Sequence, residues 1–341
     1  MKDITEIRQL IAPTIERAEI KRLDILTELT KKQFLYALPV GLSLFIFVTG
    51  LASGQYFIAI FGLIISVIVF IFIRKKVLPQ TTLRYQKEVK SVLVEAVART
   101  VYPSVSFDAT HHVSRRNFSA STLYDDYNQY RGEDHCEGIT LNHTAFEFSE
   151  LQIENVHKDF ENYKASSTEE IFKGLFVVLT LPKVICDYPI KILPDMANKK
   201  RAAGKLLQKN FSPKTHSDNL VYFEENPAFE EMYAVYAQDE TQARKILTPT
   251  MLGVLYNLKY KFDQTARICM IGKKVYIGIA KAEDYFEIDI KKSLIEGDNS
   301  LTKLCKELAL VFALVEDFST FHDTTQQAPA TYSNPSTNPF L

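Results

Sequence analysis

Between Gln33 and Ile73 the chain carries no charged side chain, a run of 41 residues. As a single helix that run would extend about 60 Å, twice the roughly 30 Å of a bilayer's hydrocarbon core. Inside it, "LASGQ" (Leu51–Gln55) supplies the small and polar residues of a turn. The run is therefore expected to fold back on itself as a transmembrane hairpin over residues 33–73. Its helices would run from about Phe34 to Leu51 and from about Tyr56 to Ile73. Pro39 then falls in the first turn or two of the first helix, where its missing N–H matters least. No charge marks an outer face on either helix, which argues against a buried soluble pair. The run also starts too late and is too long for a cleaved signal peptide.

The flanks set an orientation. Arg17, Lys21, Arg22, Lys31 and Lys32 precede the run; Arg74, Lys75, Lys76, Arg84, Lys87 and Lys90 follow it, and the turn has no Lys or Arg. Counting basic residues places both termini in the cytoplasm. Neither span holds an ionisable residue, so the hairpin reads as an anchor and not as a transport path.

On either side the pattern is amphipathic helix. Residues 1–32 carry Ile4, Ile7, Leu10 and Ile11 on one side, with Pro13 restarting the helix, and residues 74–103 carry Val89, Leu93 and Val97 at four-residue steps. Two such helices leaving one membrane face are expected to pack as a stalk. Residues 104–135 read as a connecting segment, residues 136–321 as a mixed, strand-rich cytoplasmic domain, and residues 322–341, rich in Thr, Gln, Pro, Asn and Ser, as a disordered tail.

Within the domain, Phe146 and Phe148 alternate after a turn near Asn142, with Leu151 following, and "FKGLFVVLTLPK" suits a strand buried on both faces. "NLVYFEE" and "FEEMYAVYA" read as strands about Asn226–Pro227, and "ARICMIGKKVYIGIAK" as a hairpin about Gly272–Lys273. Thr248 is the expected N-cap of a helix with Pro249 at its first position. The last helix keeps an apolar stripe from Leu301 to Phe318 and is expected to cover the sheet. The fold class is α+β, and strands closed by one long helix suggest a pleckstrin-homology-like arrangement.

Chemistry is sparse. Net charge is −1, which gives no whole-chain attraction to nucleic acid. The four cysteines (Cys136, Cys186, Cys269, Cys305) are far apart, so free thiols in a reducing compartment are expected, with no metal or cofactor implied. His135, Cys136 and Glu137 stand together, but a strand sends His135 and Glu137 to one face and Cys136 to the other, against a shared metal or a Cys–His pair. Adjacent His111 and His112 read as loop residues. The acids Asp125, Asp126, Glu133 and Asp134 would serve an enzyme only if a pocket gathered two of them; otherwise they are solvated. In "NKKRAAGKLLQKN", Lys199, Lys200, Arg201, Lys205 and Lys209 form a basic cluster suited to anionic lipid headgroups. A solvated linker is the plainer reading.

The phrases "YQKEVKSVLVEAV", "YPSVSF", "GEDHCEGITLNHTAFEFSEL", "FKGLFVVLTLPK", "ILPD", "NPAFEEMYAVYAQDETQARKILTP" and "KKVYIGIAKAEDYFE" together resemble the bacterial membrane-protein family catalogued as domain of unknown function 3137. Some of its members bear a galanin-like label. The resemblance runs from the N-terminal helix to about Phe318. It implies a multi-pass bacterial inner-membrane protein with a cytoplasmic α+β domain, carries over no catalytic residue, and suggests a LemA-type membrane protein as partner. The expected function is a membrane-anchored binding or scaffold protein without catalysis, compatible with a homo-oligomer. The alternative is an anionic-lipid sensor or membrane-remodelling factor acting through the basic cluster.

Overall fold

The computed structural model describes residues 4–72, 78–158, 165–195, 219–281, 283–295 and 299–320. After the short helix Ile4–Leu10 (α1), one helix runs from Ala12 to Ala52 (α2), with Pro13 in its first turn and Pro39 inside it. The expected break near Lys32 is absent. The stalk and the apolar segment are one rod about 60 Å long, and Pro39 sits in its interior instead of at a start. A turn at Ser53–Gln55 leads to Tyr56–Phe72 (α3), which returns along α2. The two approach through small residues. A Cβ on Gly50 would stand 2.6 Å from the Ala59 nitrogen, and one on Gly62 2.8 Å from the Ser43 carbonyl oxygen. Close backbone contact of this kind is how helices pack where lipid removes the hydrophobic drive. Of the described helices, α2 is the one long and apolar enough to cross a membrane; α3 is a shorter apolar helix.

The chain continues as Leu78–Tyr85 (α4), a π-helical turn at Gln86–Lys90, and Ser91–Arg99 (α5). The helix expected within residues 74–103 therefore forms from Leu78 to Arg99, with a wide turn inside it. The sheet begins at Ser106, within the stretch read above as a connection. Its nine strands are Ser106–Asp108 (β1), Gln129–Ile139 (β2), Ala145–Lys158 (β3), Ala165–Thr180 (β4), Cys186–Pro194 (β5), Asn219–Val221 (β6), Tyr233–Ala237 (β7), Ala266–Gly272 (β8) and Lys274–Ala280 (β9). All pair antiparallel, in the order β1-β2-β3-β4-β9-β8-β5-β7-β6. The protein is thus a mixed α+β chain with an apolar helix near its N-terminus. This strand order lends no support to the pleckstrin-homology comparison drawn from element order.

The sheet has a core on each face. On one, Phe146, Phe148, Leu175, Val177 and Leu179 pack with Leu93 and Val97 of α5 and with the apolar stripe of Asn299–Ser319 (α10). The helix Pro249–Phe262 (α9) adds Leu252, Leu255 and Leu258, and Thr248 caps it by accepting from the Met251 N–H. On the other face, Arg115–Ala120 (α6) sets Phe118 among Tyr124, Phe172 and Phe176. Leu151 belongs to this second core, not to the row of Phe146 and Phe148. Alternation along a strand dictates that split, and the next position in the Phe146–Phe148 row is Glu150. Two short helices, Pro227–Glu230 (α7) and Glu240–Ile246 (α8), flank β7; α7 occupies part of the stretch "FEEMYAVYA" expected as strand, because Asn226 caps a helical turn there.

Candidate functional site: a buried polar junction

Two polar clusters lock the helices to the sheet domain. In the first, Glu19 and Arg22 of α2 are both buried. Arg22 donates to both Glu19 carboxylate oxygens at 2.7 Å and to the Ile290 carbonyl oxygen at 2.7 Å. Glu19 also accepts from the Leu294 N–H at 3.0 Å and the Ser293 hydroxyl at 3.2 Å. The Arg22 guanidinium beside it holds Glu19 down to about 2, against the cost of burial. Tyr85 donates to the Ile288 carbonyl at 2.8 Å. The segment 285–294 is thereby strapped across the base of the helices. Arg84 adds exposed pairs with Asp24, Glu28 and Glu88, which contribute little individually.

The second cluster lies where the π turn meets β2. A π turn inserts one residue and re-aims the side chains that follow, a distortion found often at functional sites. Here Gln86 reaches Glu133 at 2.9 Å and Lys90 reaches Asp134 at 2.8 Å and Glu287 at 2.6 Å. Lys90 is 2% exposed and Asp134 0%. The receiving strand is distorted too. The β2–β3 register shifts between Glu133 and Cys136, and Asp134 adopts φ +61°, a left-handed conformation that costs a non-glycine residue energy. The bulge turns the Asp134 carboxylate onto Lys90.

Directly across the ladder, Glu133 pairs with Glu150. Opposed residues share one face with Cα atoms about 5 Å apart, and like charges so placed repel. Glu150 is 6% exposed; its carboxylate lies beside the Tyr285 N–H, and neither oxygen has a side-chain hydrogen-bond partner among the described residues, nor does Asp134 Oδ1. Burial pushes Glu150 up to about 8, against the Tyr285 N–H, which favours the carboxylate; Asp134 and Asp284 push the same way as burial, and Lys90 opposes them. Burial also raises Asp134 to about 7 in spite of Lys90, and Glu133 is raised by burial. Burial disfavours charge on Lys90, but the Asp134 and Glu287 carboxylates outweigh it and keep the amine charged. Glu133 and Glu150 open on a cavity of about 330 Å3, with Arg131, Gln152, Lys173 and Asp284 around it. Glu287 lines a second cavity of about 530 Å3 against Leu29, Tyr85 and Ile288.

The residues singled out from sequence separate accordingly. Glu133 and Asp134 enter this junction, while Asp125 and Asp126 are exposed elsewhere. Cys136 is buried beside the Phe146 row, whereas His135 faces Glu147 at 3.2 Å, so the two diverge as alternation requires. His111 bonds Asp108 and His112 the Val113 carbonyl oxygen. Among the described residues no three His, Cys, Asp or Glu side chains gather to hold a metal, and the four cysteines are buried and in no disulfide. Lys199, Lys200, Arg201, Lys205 and Lys209 lie outside the described residues, as does the tail. Glu150 and Lys90 went unrecognised as site residues. The signal for Glu150 was present, since it holds the third place in the alternating row Phe146, Phe148, Glu150.

Residues 170–320 match the family described as "Protein of unknown function (DUF3137)". That segment belongs to the family. The match is narrower than the likeness read along the chain, and it takes in Lys173, Asp284 and Glu287 but not Lys90, Glu133 or Glu150. No curated protein matches the chain. Among solved structures, the mycobacterial trehalose monomycolate transport factor A, TtfA, aligns at 9% identity over 65% of this chain and 94% of its own, with a TM-score of 0.30. That score carries no argument about fold or function.

Proposed function

We propose that this DUF3137 protein is a membrane-anchored binding module of the bacterial inner membrane. In this reading α2 and α3 cross the bilayer as a two-helix hairpin and both termini are cytoplasmic. The observation that carries it is the continuity of α2. One helix holds the buried Glu19–Arg22 clamp on the sheet domain at one end and a lipid-compatible surface at the other. Phe34 is 70% exposed and Phe57 92%, and Leu42, Phe45 and Phe61 are also uncovered. An apolar surface of that extent calls for lipid or a partner. Rigid attachment suits a domain that presents a binding surface at a set distance from the membrane.

Extraction of membranes in alkaline carbonate tests the anchor. The full chain, expressed in a bacterial host, is expected to stay in the membrane pellet. Recovery of most of it in the supernatant would contradict the reading.

A further inference from the structure

We propose that the cavity at Glu133 and Glu150 is a binding site for a small organic cation carrying an ammonium or guanidinium group. The proposal gives the binding module a ligand class and rests on that reading. Three observations support it. First, the β2–β3 register sets the two carboxylates opposite each other on one face, an arrangement that a cation between them relieves. Second, Glu150 is more than nine-tenths buried, borders the cavity, and carries two acceptor oxygens that no side-chain donor among the described residues satisfies, the Tyr285 N–H lying beside them. An unmatched buried acceptor costs free energy, which a ligand donor recovers. Third, the cations already present are committed: Arg131 pairs with Glu154, and Lys173 with Asp284 at 3.0 Å.

Size and donor chemistry select among cations. The cavity of about 330 Å3 is near the lower limit of small-molecule sites and far larger than an ion or a single water needs. Among the described residues no three His, Cys, Asp or Glu side chains are placed to hold a metal ion. A guanidinium presents parallel N–H donors that match a carboxylate bidentately. The groups facing Glu150 are Glu133, Asp134 and Arg131 from β2, Lys173 from β4, Lys90 from the π turn, and Asp284 and Tyr285 after β9. With Glu150 raised to about 8, the free site holds a proton at neutral pH. A bound cation displaces that proton, so binding strengthens as pH rises from 6 toward 8.

Titration calorimetry on the full chain in detergent micelles provides the test, with agmatine and butylamine as probes and Mg2+ and butanol as controls. Agmatine or butylamine is expected to bind with release of about one proton at neutral pH, read from heats in buffers of different ionisation enthalpy. Glu150→Gln, which keeps the shape of the protonated acid, should weaken binding at least about tenfold and abolish proton release. Glu133→Gln should weaken it while the protein melts as before. Equal binding by Glu150→Gln, no binding of either amine at millimolar concentration, or binding of Mg2+ in their place would overturn the proposal. Retention in the carbonate pellet is read on the same protein, so loss of the anchor and loss of the ligand site are distinguishable.

Discussion

Replacing Lys90 by methionine is expected to destabilise the protein by about 3–5 kcal/mol, the usual cost of breaking a buried ion pair from one side. Lys90 and Asp134 are both shut off from solvent, and Asp134 Oδ1 has no hydrogen-bond partner among the described residues. Removing the ammonium leaves the carboxylate with the Glu133 and Glu287 charges nearby and nothing to offset them. Asp134 would then take up a proton, so the loss should be larger at pH 8 than at pH 6. Adding Asp134→Asn should restore much of the stability, because the double variant buries no charge. Thermal melting in detergent checks this, with a fall on the order of 10 °C for the single variant. An unchanged melting temperature would mean that the pair does not hold the junction together.

Glu150→Gln should act in the opposite direction. In the native protein Glu150 is raised from 4.5 to about 8 and Asp134 from 3.8 to about 7. An unfolded chain sheds these protons near pH 4, while the folded one keeps them until pH 7–8. The native state thus binds more protons in that window. Stability from these groups is complete below about pH 4 and is lost as pH rises toward 8. Glutamine at position 150 cannot ionise, so the variant should match its parent near pH 4 and exceed it by about 4 kcal/mol at pH 8. Melting curves across that range read the difference. A parallel pair of curves would show that Glu150 does not titrate in the window.

Much of the architecture follows from local pattern. "LASGQ" supplies the turn inside the uncharged run; the stripe from Leu301 to Phe318 makes a helix; Thr248–Pro249 starts another; and Gly272 turns β8 into β9. What escaped was set by long-range contact. Nothing between Gln86 and Lys90 announces a π turn, because it forms where Gln86 and Lys90 meet Glu133 and Asp134, more than forty residues away. The helix runs unbroken through Lys32 and Pro39, joining two segments that read separately in the sequence. Insertion of β9 and β8 between β4 and β5 is likewise a property of the assembled sheet. Glu150 was readable as an acid in an apolar row, and register alone set it against Glu133.

Thiol labelling of single cysteine variants with a membrane-impermeant maleimide tests the anchored arrangement most directly. The native cysteines are buried, so added ones at exposed sites dominate the signal. Ser53→Cys, in the turn between α2 and α3, should be labelled in intact spheroplasts. Tyr188→Cys, exposed on β5, should be labelled only after the membrane is broken. Labelling of Tyr188→Cys in intact spheroplasts, or protection of Ser53→Cys there, would contradict the two-helix anchor with a cytoplasmic domain.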